Sequence, residues 1–237
     1  MKAVILAAGI GSRLDLKDLP KPMYEIDGKP ILEHNVKLLK EHDIKDICIT
    51  LHHKGEVIKD YFKDGKKFGV SITYVFEKEL LGTSGGVKNI EWFLNKEPFF
   101  VIYGDNYTSI DLSDMLKSHL LNRPLATIAL FDPKKVMNSG IAGGVVLIDA
   151  NNKIVSFKEG TKDKSDGYVN AGIYILEPEI ISKMPKEVLS DFGKDIFPKL
   201  VKEGFTLKAY LTNSFVLAID TKEALKVAEN ILEKGKI

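Results

Sequence analysis

The chain begins with an apolar run, Lys2–Ala8, and then alternates between two hydrophobic patterns. Short continuous apolar runs are typical of strands buried on both faces of a parallel sheet, whereas apolar positions three and four residues apart predict helices. This alternation predicts an α/β fold with a Rossmann-like, doubly wound sheet. The predicted strands of the first half are Lys2–Ala8, Asp46–Leu51, Ser71–Phe76, Pro98–Tyr103 and Ala126–Phe131, and the predicted helices are Pro30–His42, Val57–Phe62, Ser84–Leu94 and Leu112–Leu121.

The second half follows a different pattern. Its predicted strands are separated by short polar links, and Asp149–Lys153 has the composition of a hairpin turn. We therefore expect a mixed sheet with a small antiparallel flap, within one domain over residues 1–237. The predicted strands are Gly143–Ile148, Ile154–Phe157, Val169–Leu176, Leu207–Tyr210 and Phe215–Ile219, and the predicted helices are Ile196–Val201 and Thr221–Leu232.

The composition excludes several classes of function. The 237 residues carry 34 Lys and Arg against 33 Asp and Glu, a formal net charge of +1, so no global charge draws the chain to nucleic acid or anionic lipid. No apolar run approaches the roughly 18 residues that span a bilayer. The single cysteine, Cys48, excludes an internal disulfide and fits a reducing compartment. We expect a cytoplasmic protein with no nucleic-acid or membrane partner.

A glycine-containing turn follows the first strand, and basic residues follow the turn. Gly9 and Gly11 allow backbone N–H groups to approach a phosphate closely, because no Cβ blocks the way. Arg13 and Lys21, the latter fixed between two prolines, supply the positive charge that phosphate oxygens require. The pattern predicts a triphosphate or diphosphate site at the end of this strand, although a glycine pair after a strand also occurs as a plain tight turn.

The dinucleotide fingerprint G-x-G-x-x-G also begins with two glycines. Here the third glycine position holds Leu14, and the second predicted strand leads into His52 and His53 rather than into the carboxylate that would bind a ribose. A Walker A sequence, G-x-x-x-x-G-K-[ST], occurs nowhere in the chain. The sequence therefore disfavours an NAD-dependent oxidoreductase.

Two carboxylates follow predicted strands. Asp105 comes after Phe99–Tyr103, and Asp220 comes after Phe215–Ile219. Ligands of open α/β sheets bind beyond the carboxyl ends of the strands, and Mg²⁺ takes hard oxygen ligands together with substrate phosphates. The pair is typical of a magnesium site beside a phosphate turn. Each aspartate could equally serve as a turn residue or a helix N-cap.

The run Glu77–Gly86 also follows a strand and leads into a helix. Gly82 would let a flat ring lie against the backbone, and Glu77 could accept hydrogen bonds from ring N–H groups. The plain alternative is a helix N-terminus capped by Thr83 or Ser84.

A set of short motifs occurs in a defined order along the chain. It comprises Ala8-Gly-x-Gly-Ser-Arg-Leu14, Pro20-Lys-Pro22, Leu81-Gly-Thr-Ser-Gly85, Gly104-Asp105, Phe157-x-Glu159, Asn170-Ala-Gly172 and Asp220. Together these motifs resemble the sugar-1-phosphate nucleotidylyltransferases, the nucleotidyl transferase family that makes NDP-sugars. The resemblance extends over nearly the whole chain. It implies a GT-A-like nucleotidyltransferase fold whose antiparallel flap binds the sugar.

The resemblance implies a role for each matching residue. Arg13 would bind the departing pyrophosphate and Lys21 the α-phosphate, as the catalytic residues. The nucleotide would be bound by Ala8, Gly9, Gly11, Ser12, Glu77, Gly82 and Thr83, the Mg²⁺ cofactor by Asp105 and Asp220, and the sugar by Gly144, Glu159 and Asn170. The family usually has a lysine after Phe-x-Glu, where this chain has Gly160. Lys158 or Lys162 is therefore expected to supply the charge that meets the sugar phosphate.

The implied reaction condenses a nucleoside triphosphate with a sugar 1-phosphate to give an NDP-sugar and pyrophosphate. Glu77 and the run Leu81–Gly86 are most similar to the branch that transfers guanylyl groups to mannose 1-phosphate or a manno-configured heptose 1-phosphate. The alternatives are a uridylyl- or thymidylyltransferase acting on glucose 1-phosphate, a short cytidylyltransferase, and a catalytically silent regulatory homologue. The last is disfavoured because all four charged residues of the implied centre are present. The sequence does not determine the oligomeric state, and a homo-oligomer is compatible with it.

Overall fold

The computed structural model describes residues 1–11, 13–14, 19–94, 96–140, 144–158 and 167–233. The strands within these ranges are β1 (Lys2–Leu6), β2 (Glu25–Ile26), β3 (Lys29–Pro30), β4 (Asp46–Leu51), β5 (Ser71–Phe76), β6 (Phe99–Tyr103), β7 (Asn106–Thr108), β8 (Ala126–Phe131), β9 (Val145–Ile148), β10 (Ile154–Lys158), β11 (Tyr168–Leu176), β12 (Leu207–Leu211) and β13 (Val216–Ala218). The helices are α1 (Ile31–Glu41), α2 (Gly55–Phe62), α3 (Gly82–Asn89), α4 (Leu112–Asn122), α5 (Phe197–Lys202) and α6 (Lys222–Glu233).

The central sheet joins a parallel part to an antiparallel part. Strands β5, β4, β1 and β6 lie side by side and are parallel. Strand β11 continues the sheet beside β6 in the opposite direction, and β8 pairs antiparallel with β11 and parallel with β12. The β9–β10 hairpin joins the start of β11. The prediction of a mixed α/β sheet with an antiparallel flap is confirmed.

Successive side chains of β1 point to opposite faces of this sheet, and both faces are covered. Ala3 and Ile5 pack in one buried cluster with side chains of α1, α2 and α4, whereas Val4 packs in a second cluster with side chains of α3 and α5. This is why Lys2–Ala8 reads as a continuous apolar run rather than an alternating one. Cys48 lies in the second cluster, fully buried, and burial raises the pKa of its thiol to about 12. None of the helices in the described ranges is both long and apolar enough to cross a bilayer.

Some element boundaries differ from the prediction. Helix α3 ends at Asn89 instead of reaching Leu94, because the chain continues in tight turns in which Ile90 N–H bonds to Val87 O and Phe93 N–H to Ile90 O. Those turns bury Ile90, Phe93 and Leu94, which produces the apolar spacing of a helix. In α6, Ala224 and Ala228 are buried as expected, but Val227 is exposed.

A glycine bends β11 where its register with β8 shifts. Gly172 has a φ of +71°, and a Cβ there would lie 2.7 Å from Asn106 Nδ2 and 2.9 Å from the Tyr103 ring. Asn106 Nδ2 donates to Ala171 O at 2.8 Å. The backbone of β11 thus closely approaches the residues that follow β6, and only glycine fits at that point.

We expect Gly172→Ala to reduce the free energy of unfolding by roughly 3 kcal/mol, from left-handed backbone strain plus overpacking. The matched control is Gly204→Ala, which has a φ of +84° but nothing within 4 Å of the new Cβ, so its cost is the backbone component of about 1 kcal/mol. Denaturant unfolding of both variants measures the difference. Equal losses would show that the close approach at Gly172 contributes nothing.

Candidate active site

A cavity of about 500 Å³ opens at the carboxyl ends of the parallel strands. Backbone and side chains at the ends of β1, β4, β5 and β6 line it, which is where open α/β sheets bind ligands. Of the residues predicted from the sequence, those that line it are Ala8, Gly9, Arg13, Lys21, Glu77, Gly82, Thr83, Asp105, Asn170 and Asp220. Side chains widely separated in the sequence are therefore brought to one cavity.

The other predicted residues fall into two groups. Gly11, Gly144 and Lys158 do not line this cavity. Ser12, Glu159 and Lys162 lie outside the described residues. The structure also adds lining residues that the sequence did not single out, among them Thr50, Tyr103, Asn106, Leu189, Asp191, Gly193 and Lys194.

Lys21 begins a 3₁₀ turn that the flanking prolines fix. Met23 N–H bonds to Pro20 O at 2.8 Å, and Tyr24 N–H bonds to Lys21 O at 3.1 Å. Gly11, with a φ of +68°, approaches this turn so closely that a Cβ there would lie 3.2 Å from Lys21 Cβ. The glycine turn and the lysine turn thus pack against each other, which directs the Lys21 side chain into the cavity.

A short ladder brings the two predicted metal carboxylates together. Strand β7 starts directly after Asp105, strand β13 ends shortly before Asp220, and the two strands pair antiparallel with Asn106 opposite Ala218. Ser139 supports β13, since its hydroxyl donates to Ala218 O and accepts from Ala218 N–H, both at 2.7 Å. The N-cap alternative for Asp220 does not hold, because Thr221 Oγ1 accepts from Ala224 N–H at the start of α6.

The ammonium of Lys21 lies between these carboxylates. Its Nζ contacts Asp105 Oδ2 and lies 2.9 Å from Asp220 Oδ1. Arg13 Nη2 lies 3.6 Å from the same Asp220 oxygen and is far more exposed than Lys21. The site therefore holds two cations and two anions, and its net charge is close to zero.

The pKa values follow from this arrangement. Burial by itself lowers the pKa of Lys21, but Asp105 and Asp220 outweigh burial and hold that pKa well above its usual value. Burial opposes ionisation of Asp220, yet Lys21 and Arg13 hold the pKa of this carboxyl below its ordinary value. Both groups are therefore charged throughout the neutral range.

Glu77 is a buried carboxylate at another wall of the cavity. Its Oε2 accepts from Leu81 N–H at 3.1 Å. Its Oε1 is buried beside Gly86 and has no hydrogen-bond partner among the described residues. Burial raises the pKa of Glu77, and the Leu81 amide only partly opposes the effect. A buried acceptor without a donor is costly, and such groups are often found where a ligand completes them.

The helix start at Gly82 is held by a distant segment rather than by its own side chains. Thr83 N–H and Oγ1–H both donate to Asp191 Oδ1, at 3.1 and 3.2 Å, and Ser84 Oγ donates to Ser190 Oγ at 2.8 Å. A Cβ on Gly82 would lie 2.5 Å from Ser190 O. The expectation of a local cap by Thr83 or Ser84 is therefore wrong, since their hydroxyls bind residues more than a hundred positions away.

Asn170 supports the bend in β11 as well as lining the cavity. Its Oδ1 accepts from Gly172 N–H at 2.9 Å, and its Nδ2 donates to Tyr174 Oη at 2.7 Å. These bonds fix the orientation of the amide, which leaves its second N–H available to the cavity.

Comparisons with known proteins identify the family. The model of the family described as "Nucleotidyl transferase" matches residues 2–216. The chain belongs to the nucleotidyl transferase family. It is 38% identical over 228 residues to a UTP–glucose-1-phosphate uridylyltransferase of Synechocystis sp., with 88% of the chain and 57% of the relative covered. It is 36% identical over 217 residues to the D-glycero-alpha-D-manno-heptose 1-phosphate guanylyltransferase of Campylobacter jejuni, with 91% and 86% covered.

Solved structures give the same result for the fold. The crystal structure of HddC from Yersinia pseudotuberculosis complexed with GMP-PN superposes with a TM-score of 0.78 at 28% identity, covering 97% of this chain and 99% of that one. The chain thus spans nearly the whole length of this structural relative, but little more than half the length of the Synechocystis relative.

We expect Lys21→Met to destabilise the folded chain by about 3 kcal/mol at neutral pH, because it leaves two partly buried carboxylates without the Lys21 ammonium between them. The contribution of Asp220, whose pKa is lowered on folding, is present above its unfolded pKa and is lost as the pH falls through its folded pKa. The difference between wild type and variant should therefore shrink in acid. Denaturant unfolding at several pH values tests this, with Lys45→Met, which removes an exposed pair with Asp43, as the control. A pH-independent difference would contradict the electrostatic cause.

Proposed function

We propose that the chain transfers a nucleotidyl group from a nucleoside triphosphate to the phosphate of a sugar 1-phosphate, which releases pyrophosphate and gives an NDP-sugar. GTP is the favoured nucleotide, and a mannose- or heptose-type sugar 1-phosphate is the favoured acceptor. The observation that carries this proposal is the ammonium of Lys21 held between Asp105 and Asp220 in a cavity shared with the glycine turn and Glu77. The names of the guanylyltransferase relatives are consistent with it.

The reaction needs no protein nucleophile. An ionised phosphate oxygen of the sugar 1-phosphate attacks the α-phosphorus, the bond from the α-phosphorus to its bridging oxygen breaks, and pyrophosphate leaves with that electron pair. Catalysis is therefore positioning plus charge neutralisation. In this proposal Ala8, Gly9, Gly11 and Ser12 bind the triphosphate, Lys21 neutralises the α-phosphate, and Arg13 stabilises the departing pyrophosphate.

The two carboxylates fit a magnesium ion. Asp105 and Asp220 approach each other because both contact one nitrogen, and Mg²⁺ is usually held by one or two carboxylates plus substrate phosphates rather than by a cage of side chains. When bound, the ion would neutralise phosphate charge and help to orient the triphosphate.

Glu77 favours guanine among the bases. A carboxylate accepts only, and guanine presents two adjacent donors, N1–H and N2–H₂, on its Watson–Crick edge. Uracil and thymine present one N–H between two carbonyl oxygens, which a carboxylate would repel. The buried Oε1 of Glu77 without a partner is the group that a base donor would satisfy. Gly82 and Thr83 would border the same base.

A uridylyl-, thymidylyl- or cytidylyltransferase acting on glucose 1-phosphate is the alternative activity. The 38% identity to a uridylyltransferase and the 30% identity to a probable glucose-1-phosphate cytidylyltransferase of Bacillus subtilis favour it. The acceptor-only chemistry of Glu77 opposes uracil and thymine but not cytosine, whose N4–H₂ group is a donor. A catalytically silent homologue is disfavoured, because the four charged groups all lie at one cavity. We further propose that residues 1–237 act as one cytoplasmic domain without nucleic-acid or membrane partners.

The test is a pyrophosphate-release matrix. Purified protein with Mg²⁺ is assayed with GTP, UTP, dTTP, CTP and ATP against mannose, glucose and manno-heptose 1-phosphates. Release that is fastest with GTP and a manno-configured acceptor supports the proposal. Faster release with UTP or dTTP and glucose 1-phosphate favours the alternative, and no release with any pair contradicts both.

We expect Lys21→Ala and Asp105→Ala each to reduce kcat by roughly 10²- to 10³-fold, the usual cost of removing a group that acts mainly in the transition state. Asp43→Ala, which removes an exposed carboxylate, serves as the matched control. Circular dichroism shows whether each variant is folded. Turnover close to wild type in either folded site variant would refute its role.

We expect Glu77→Gln to shift base preference from GTP towards UTP, because an amide offers one acceptor and one donor to match the N3–H and carbonyl of uracil. The ratio of kcat/KM for GTP to that for UTP should fall by roughly 100-fold. Glu79→Gln, an exposed neighbour, should leave the ratio unchanged. An unaltered ratio in Glu77→Gln would exclude base reading by this residue.

The GTP preference of wild type should also depend on pH. It requires an ionised Glu77, and burial raises the pKa of this carboxyl, so the preference should be lost, as the pH falls, at a higher pH than the usual pKa of a glutamate would give.

A further inference from the structure

The proposed reaction brings two anions together, the triphosphate and the phosphate of the sugar 1-phosphate. No cation among the described residues has yet been assigned to the sugar phosphate. The attacking phosphate of the sugar must approach the α-phosphate, and the repulsion between them requires positive charge on the acceptor side. Lys21 and Arg13 both pair with Asp220 at the end of the cavity formed by the glycine turn. Lys158, a candidate from the sequence, does not line the cavity.

Lys194 is a cation on a different wall of the cavity. It lies in a π-helical turn, Phe192–Ile196, that directly precedes α5. Short π-helical segments are rare and are frequently found at functional sites. Gly193 and Lys194 of this turn both line the cavity, whereas Lys199, on the following helix, does not.

The turn lies between the proposed base site and the flap strand that leads to Glu159. It contacts α3 on one side and β10 on the other. Aromatic rings fix it there: Phe192 stacks on Phe197 with ring centroids 5.2 Å apart, and Phe197 lies 5.5 Å from Phe157 of β10. A side chain on this turn is therefore positioned between the nucleotide side and the flap side of the cavity.

The environment of Lys194 leaves its ammonium free to meet an anion. Its Nζ lies 3.5 Å from Asp191 Oδ2, and the Lys194 side chain is 66% exposed. The other oxygen of Asp191 accepts both hydrogen bonds from Thr83. Asp191 thus fixes Lys194 next to the helix start at Gly82, while the ammonium remains in contact with solvent and can replace water with phosphate oxygens.

We propose that Lys194 binds the phosphate of the sugar 1-phosphate and so substitutes for a cation on the strand that leads to Glu159. This inference rests on the proposed nucleotidyl transfer. Asp191 acts as a positioning residue, because it joins the lysine to the segment that borders the base. The phosphate that Lys194 binds becomes the β-phosphate of the NDP-sugar, so the contact persists from substrate to product.

The test compares Lys194→Met with Lys194→Arg, using the acceptor that wild type turns over fastest. In Lys194→Met, loss of one charge-assisted contact should raise KM for the sugar 1-phosphate roughly 10- to 100-fold. KM for the nucleoside triphosphate should stay within about twofold of wild type. Lys194→Arg should largely restore KM for the sugar 1-phosphate. The control is Lys199→Met, which removes an exposed lysine of α5 that pairs with Glu203, and it should behave as wild type.

The reverse reaction separates the acceptor phosphate from the triphosphate tail. In pyrophosphorolysis, Lys194→Met should raise KM for the NDP-sugar, which retains the sugar phosphate, and leave KM for pyrophosphate unchanged. Three results would overturn the inference. Lys194→Met could leave KM unchanged for both the sugar 1-phosphate and the NDP-sugar, or it could raise KM for pyrophosphate alone. The third is an increase in KM for the sugar 1-phosphate in Lys158→Met but not in Lys194→Met. Inactivity of the wild type with every pair of substrates would instead contradict the proposed function itself.

Discussion

The ammonium of Lys21 lies between two carboxylates that come from distant parts of the chain, and the geometry of the cavity depends on that contact. Asp105 follows β6 and Asp220 follows β13. A buried cation needs anions around it, and buried carboxylates need a cation, so each of the three side chains makes burial of the others tolerable. Closure of this cluster fixes the lysine turn, the end of β6 and the start of α6 relative to one another.

In the proposed reaction the same cluster has a second use. A triphosphate and a divalent cation bring in both negative and positive charge, and a site that already balances two cations against two anions can exchange partners without a large net change in charge. Lys21 would turn from a carboxylate to a phosphate oxygen, and Asp105 and Asp220 would then hold the metal. The balance of charge within this cluster is thus a form of preorganisation for the substrate.

The sequence predicted the parallel strands and the residues directly after them well. Strands buried on both faces leave a clear apolar signal, and polar residues at their carboxyl ends converge by geometry alone, as Glu77 and Asp105 do. The predicted strand Phe215–Ile219 covers β13, but β7 and its pairing with β13 were missed, because β7 has three residues, too few for a periodic pattern. Yet that ladder is what brings Asp105 and Asp220 together.

The segment Ser190–Lys194 was also missed, for a different reason. Its contacts with Thr83 and Ser84 span more than a hundred residues, and no local pattern encodes such a partner. The available signal was a glycine with charged neighbours, Asp191, Gly193 and Lys194, just before α5. Because no strand directly precedes them, the principle that ligands bind at the carboxyl ends of strands did not single them out. Within this segment Asp191 contacts both Thr83, which borders the proposed base site, and Lys194, the proposed ligand of the sugar phosphate.

The most direct measurement is a crystal structure of the chain with Mg²⁺ and a non-hydrolysable GTP analogue. We expect triphosphate density along the glycine turn with Lys21 at the α-phosphate, the metal between Asp105 and Asp220, and the guanine edge at Glu77. Triphosphate density at another surface would contradict the account. So would a nucleotide that lies in this cavity without any contact to Lys21, Asp105 or Asp220.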